Sequence, residues 1–184
     1  MDVYPTAIPD VKLIRTKVFR DPRGWFSETY NKQAWARAGI ELEFVQDNHS
    51  FSMEKGVVRG LHFQAQPFGQ DKLIRVVRGA VFDVAVDLRC RSPTFGQHVS
   101  VILNAEESKQ LLVPLGFAHG FCTLEPNTEV IYKVTQYYSP SHERGVLWND
   151  SGVGISWPVT ESGALLSQKD RRLPRFADGA DFFG

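Results

Sequence analysis

Arg59-Gly60-Leu61-His62-Phe63-Gln64, read with Pro114-Leu115-Gly116-Phe117-Ala118-His119-Gly120, decides the fold of this chain. Each stretch sets a histidine just after glycine or proline punctuation, amid short strand-like runs. Working outward, Lys72 to Arg78 and Ala80 to Leu88 are β-rich and joined at Gly79. In the second run Phe82, Val84, Val86 and Leu88 share one face, and Asp83 and Asp87 share the other with Val81 and Ala85. Val99 to Leu103, Gln110 to Val113, Glu129 to Tyr138 and Arg144 to Trp148 continue the series. Upstream, Val11 to Phe19 is a strand candidate ended by the turn Asp21-Pro22-Arg23-Gly24. Asn31 to Ala38 reads as a short helix, capped by Asn31 and ended by Gly39. The tail from Leu165 to Arg172 reads as helical. Short strands at this spacing, with Gly and Pro turns between them, predict a sandwich or barrel.

The 184 residues, 42% of them hydrophobic, fill one core and are too few for two. A single domain over 1–184 is expected. Thirteen Phe, four Trp and five Tyr supply the large surfaces an all-β interior buries. The formal net charge of zero excludes a broadly basic nucleic-acid binder, though local basic positions can grip a small anion. Cys90 and Cys122 lie far apart without Cys-x-x-Cys spacing, and read as isolated reduced thiols. Met1-Asp2-Val3-Tyr4-Pro5 lacks a secretory n-region and h-region, and no apolar run reaches membrane-spanning length. A soluble cytoplasmic protein is expected, with neither membrane nor nucleic acid as partner.

Pro114 to His119 matches the Pro-x-Gly-x-x-His signature of cupin barrels, and His62 occupies the place of the cupin His-x-His motif, with Gln64 where its second histidine would stand. A wider set of motifs narrows the resemblance. It comprises Asp21-Pro22-Arg23-Gly24, Phe44-Val45-Gln46-Asp47-Asn48-His49-Ser50, Val58 to Gln64, Val81-Phe82-Asp83-Val84-Ala85-Val86-Asp87, Pro114 to Phe121 and Trp148-Asn149-Asp150. In this order and spacing they resemble the dTDP-4-dehydrorhamnose 3,5-epimerase family from Thr6 through Asp170, nearly the whole chain. The resemblance implies an all-β, cupin-type jelly-roll barrel with a few short helices.

It also implies a chemistry. The family's substrate is a dTDP-sugar, dTDP-4-keto-6-deoxyglucose, whose C4 ketone acidifies the protons on C3 and C5. Inverting either centre needs a base on one face, a proton donor on the other, and a group that stabilises the enolate. By resemblance His62 is the base, Asp170 fixes its other ring nitrogen, Lys72 sits by the enolate oxygen and Tyr132 returns the proton. Strand parity agrees for Tyr132, which shares a face with Val130 and Val134 and so points into the barrel. Taken singly, each has a plainer reading. His62 is then a hydrogen-bonded core histidine, Tyr132 a packed aromatic, Lys72 a solvated strand end and Asp170 part of a surface charge cluster. The joint resemblance lifts them above it. His49, His98 and His142 carry no functional reading.

A cupin metal site takes two histidines and a carboxylate from the first motif and one histidine from the second. His62 and His119 remain, but Gln64 is no ligand equivalent and Gln66-Pro67-Phe68-Gly69-Gln70 offers no acid. Two imidazoles alone make a poor site for catalytic iron, manganese or zinc. No metal and no organic cofactor are expected, and His119 is expected to touch the phosphate or sugar. The resemblance assigns the diphosphate to Arg23 and Arg59, whose forked guanidinium groups suit phosphate oxygens. It assigns the nucleoside and sugar to Glu28, Gln46 and Asn48, thymine stacking to Tyr138, and further contacts to Glu143 and Lys169. It implies a homodimer with exchanged N-terminal strands, so that Arg23 and Glu28 serve a shared pocket. Two other readings stay open on sequence: an epimerase of one carbon or a 3,4-ketoisomerase on such a sugar, and a barrel that binds nucleotides without turnover.

Overall fold

The computed structural model describes residues 1–179 and 181–184. Its strands are β1 Asp2–Pro5, β2 Lys12–Arg15, β3 Phe19–Asp21, β4 Gly24–Phe26, β5 Gln46–Ser52, β6 Val58–Gln64 and β7 Lys72–Arg78. They continue as β8 Ala80–Asp87, β9 His98–Asn104, β10 Lys109–Val113, β11 Phe117–Thr123, β12 Thr128–Val134 and β13 Glu143–Gly145. One helix, α1 Lys32–Arg37, lies between β4 and β5. Two sheets make the cupin-type jelly roll: β1-β2-β10-β7-β12-β5 and β13-β6-β11-β8-β9. The pair β3-β4 stands apart as a hairpin.

The barrel interior is apolar over most of its depth. Ile74, Val76, Leu111, Val113 and Val130 from the first sheet meet Val81, Ala85, Val99, Leu103, Phe117 and Phe121 from the second. The outer faces are covered too. Val84, Val86 and Leu88 pack with Phe63 under Trp157, Phe176, Phe182 and Phe183, so β8 is buried on both sides. Trp35 and Ile40 cover Ile14, Leu73 and Leu112 on the other sheet. A six-residue helix is not stable by itself. Burial of Trp35, worth about 1.5–3 kcal/mol for a large apolar side chain, holds α1 in place. Asn31 Oδ1 caps it by accepting from Ala34 N–H at 3.0 Å, and Gly39 ends it at φ +77°.

Close approach of β6 and β11 sets up the site. A Cβ on Gly60, at φ +128°, would lie 2.6 Å from the Gly120 Cα, and one on Gly120 would lie 2.8 Å from the Arg59 carbonyl. The two glycines let the strands touch, and the register brings His62 directly opposite His119.

The strands expected at Lys72–Arg78, Ala80–Leu88, Val99–Leu103 and Gln110–Val113 are present with ends shifted by at most one residue. Four other segments differ. The run Val11 to Phe19 breaks after Arg15, where Thr16 turns to bond Ser108 and Ser27 and frees Phe19 for the separate hairpin. Glu129 to Tyr138 leaves the sheet after Val134, because Gln64 takes up Tyr137 O and Ser139 N–H and bends the chain over the barrel mouth. In Arg144 to Trp148 only the first two residues stay in the strand, since Leu147 N–H turns to Pro174 O at 2.7 Å. Leu165 to Arg172 is not an α-helix: Leu165 bridges Val57 alongside, and only Asp170–Arg172 form a single 3-10 turn. Among the described residues no helix is long and apolar enough to cross a membrane. Cys90 is exposed and Cys122 buried, each free.

Candidate active site

A cavity of about 340 Å³ opens at one end of the barrel, between the two sheets. His62, Lys72 and Tyr132 line it, with Gln46, Asn48, Tyr138 and Glu143 toward the rim. His62 stands on β6, in one sheet, and Lys72 and Tyr132 stand on β7 and β12, in the other. Facing sheets pack roughly 10 Å apart, so His62 and Tyr132 occupy opposite walls with room for a flat ligand between them.

On the first wall, His62 Nε2 lies 2.7 Å from Asp170 Oδ1. The dyad fixes the ring and leaves Nδ1 as the nitrogen not engaged by a carboxylate. Asp170 is 4% exposed, and its N–H is capped by Ser167 Oγ at 3.1 Å. Burial alone would raise its pKa, but the His62 hydrogen bond and charge, with Ser167 and the Gly60 backbone, hold it below the ordinary carboxylate value.

On the second wall, burial raises the Tyr132 phenol, partly countered by the Arg59 charge and reinforced by Glu143. The hydroxyl therefore keeps its proton at neutral pH, as a donor must. Lys72 is 9% exposed and its Nζ donates to the His62 carbonyl at 3.2 Å. Burial lowers its pKa to about 8, against the pull of Glu143 and Asp83. A desolvated ammonium is where a cation is worth most to a developing oxyanion.

At the rim, Tyr138 OH donates to Glu143 Oε2 at 2.7 Å, and Lys169 Nζ pairs with Glu143 Oε1. Those partners outweigh burial and keep the Glu143 carboxyl low. Gln46 accepts from Tyr138 N–H at 3.0 Å and donates to Asn48 Oδ1 at 2.8 Å. Tyr138 is 53% exposed, an open aromatic face beside the cavity.

Three expected residues fall elsewhere. His119 does not line the cavity; it is 8% exposed, with Nε2 held 2.8 Å from Asp83 Oδ1. Arg23 sits at the tip of the β3-β4 hairpin, paired with Asp21 and 89% exposed at its side chain. Glu28 follows the same hairpin, exposed and outside the cavity lining. Arg59 flanks the site, bonded to Ser52 Oγ and Phe51 O.

Phe63, Gln64, Gln70 and Val134 also line the cavity. Gln64 donates to Phe68 O at 2.6 Å and accepts from Ser139 N–H at 2.7 Å, so the residue in the place of the second cupin histidine ties two loops together. Gln70 Nε2 donates to Gln136 O at 2.6 Å. No signal in the sequence marks these contacts, because both glutamines bond the backbone of loops whose path sequence does not disclose. Among the described residues, no group of three or more His, Cys, Asp or Glu comes together as a metal would need.

Comparison with known proteins identifies the family. A family model described as dTDP-4-dehydrorhamnose 3,5-epimerase matches residues 5–178. The dTDP-4-dehydrorhamnose 3,5-epimerase of Shigella flexneri is 52% identical over 184 residues, 100% of this chain and 99% of that protein. The crystal structure of the enzyme of that name from Bacillus anthracis, with TDP and PPi bound, superposes with a TM-score of 0.92 at 54% identity, covering 95% of this chain and 98% of that one. A 3,5-epimerase from Legionella pneumophila, in complex with dTDP-4-keto-L-rhamnose, superposes with a TM-score of 0.88 at 43% identity over 95% of this chain and 98% of that one.

Proposed function

The chain belongs to the dTDP-4-dehydrorhamnose 3,5-epimerase family, and on that premise we propose how its residues carry out the reaction. It is an isomerase of dTDP-L-rhamnose biosynthesis that inverts C3 and C5 of dTDP-4-keto-6-deoxyglucose. The observation that carries the assignment of roles is the His62–Asp170 dyad on one wall of the cavity, with Tyr132 on the facing wall.

His62 Nδ1 takes the proton from the carbon beside the C4 ketone, and the C–H electron pair moves into the ring as the C4 oxygen becomes an enolate. Lys72 stabilises that oxygen as its charge grows. Tyr132 gives its phenolic proton to the same carbon from the opposite face, and the enolate collapses back to the ketone with inverted configuration. The imidazolium and phenolate return to their starting states by proton exchange with solvent at the cavity mouth, so no net proton is consumed. The second carbon follows by the same steps. Asp170 holds the His62 tautomer and steadies the imidazolium.

Tyr138 offers its ring to the thymine, with Gln46, Asn48, Glu143, Lys169 and Arg59 around the nucleotide. The β3-β4 hairpin exposes Phe19, Trp25 and Phe26 at 52%, 51% and 67% and carries Arg23 away from its own cavity. Exposed aromatics of this size fit an interface. The protein works as a homodimer in which this hairpin of one copy brings Arg23 and Glu28 to the cavity of the other. The chain acts as a single domain in the cytoplasm. Turnover by His62→Ala tests the assignment: activity is lost while dTDP affinity holds. Equal loss of both contradicts it and makes His62 structural.

A further inference from the structure

Asp83 stands on β8 with no exposed surface. Strand parity puts it on the face of Val81 and Ala85, inside the apolar cluster that fills the barrel. A carboxyl group there is costly unless its oxygens and its charge are met. His119 Nε2 meets Oδ1 at 2.8 Å. Oδ2 is buried without any hydrogen-bond partner among the described residues. Lys72 is in the complementary position: of its three ammonium donors, one is given to His62 O at 3.2 Å. The Asp83 charge reaches Lys72 from across the barrel.

We propose that Asp83, oriented by His119, is a positioning residue for the epimerisation whose carboxylate keeps the Lys72 ammonium charged in the cavity. This rests on the reading of Lys72 as the group that meets the enolate. The charges that act on Lys72 are Glu143 from β13 and Asp83 from β8; His62 from β6 and Tyr132 from β12 share its cavity, and His119 from β11 lies opposite His62 in the register. Directly beside it, β10 and β12 present Val113 and Val134, which carry no charge. Two carboxylates therefore support the ammonium. Glu143 is shared at the rim with Tyr138 and Lys169. Asp83 gives Oδ1 to His119, and its Oδ2 is the one buried side-chain oxygen among the described residues without a hydrogen-bond partner. An ammonium held this way is ready before charge develops on the substrate, which is the condition for electrostatic preorganisation.

The test is the pH profile of kcat/KM from pH 6 to 10 for the wild type, Asp83→Asn and Lys72→Met, with dTDP affinity measured in parallel. Asp83→Ser, smaller and also uncharged, replaces the amide variant if that does not fold. Loss of the carboxylate is expected to move the alkaline limb down by about one pH unit, as removal of a nearby opposite charge does. At pH 9 the variant then loses about tenfold more, relative to wild type, than at pH 6.5. A loss by one factor at every pH, or no loss at all, overturns the proposal, because a packing role has no reason to follow the Lys72 titration. Lys72→Met separates the two layers. If it keeps turnover, the reading of Lys72 fails. If it loses turnover while the Asp83 variant keeps the wild-type limb, only the role of Asp83 fails.

Discussion

Asp170 Oδ1 lies 2.7 Å from His62 Nε2, although 108 residues separate the two in the chain. In the proposed mechanism this contact serves both side chains. It takes up one imidazole nitrogen and so leaves the other to act as base, and it holds a buried carboxyl group ionised against desolvation. Asp170→Asn keeps the shape and removes the charge. We expect kcat to fall about 10²- to 10⁴-fold, the range of a mis-set tautomer or a lost general base. dTDP affinity, read by calorimetry, stays within a few-fold of wild type.

Lys72 makes stability depend on pH in a window that few groups share. Its pKa of about 8 in the folded chain lies below its ordinary 10.5. Between those values the unfolded chain binds a proton that the folded chain does not. The Lys72 contribution is therefore fully present above the upper value and lost as pH falls through the lower one. Chemical unfolding of wild type and Lys72→Met from pH 7.5 to 10.5 isolates it. The wild type gains about 1–3 kcal/mol relative to the variant across that span, and a constant difference contradicts the burial-driven shift.

Asp87 acts in the opposite range. Burial would raise its pKa, but bonds from Arg89, Ser92, Thr94 and the Arg89 backbone bring it to about 2. Arg89 also lies over the Phe117 ring and reaches Asp10. The Asp87 contribution is present above pH 4 and lost as pH falls through its folded value. Asp87→Asn costs about 2 kcal/mol at pH 7. The gap between variant and wild type closes between pH 4 and 2 in acid titrations followed by circular dichroism.

The hairpin that carries Arg23 is tested by its aromatics. Trp25→Asp puts a charge in the exposed apolar patch formed with Phe19 and Phe26. Light scattering should then find a monomer, and kcat/KM should fall at least about tenfold as the anion loses Arg23. A monomer of full activity would remove Arg23 and Glu28 from the site.

How much of this was legible in the sequence depends on the range of the interactions. The central strands were, because β7, β8 and β10 are rich in apolar and β-branched residues and are bounded by Gly79 or Pro114. The helix over Asn31–Ala38 was, because its caps are local. The roles proposed for His62, Asp170, Lys72 and Tyr132 were reached only through the joint motif set; three of these side chains line one cavity and Asp170 is bonded to His62. The path of the tail was not legible. Leu165 leaves its helical pattern for a bridge to Val57, and Asp170 turns inward to a partner far away in sequence. His119 was expected to touch the phosphate or sugar; its Nε2 bonds Asp83, which sequence marked only as a polar residue in an apolar run. Arg23 was assigned to the phosphate by resemblance alone, and in its own chain it pairs with Asp21.

The most direct measurement is proton NMR of the protein with dTDP-4-keto-6-deoxyglucose in deuterated water, for wild type and Tyr132→Phe. Base and donor on opposite walls predict that wild type places deuterium at both C3 and C5 with inversion. The variant still exchanges through His62 but fails to invert. Exchange at one carbon only in the wild type would reduce the protein to a single-centre epimerase. Full inversion by the phenylalanine variant would contradict the central claim, that Tyr132 returns the proton His62 removes.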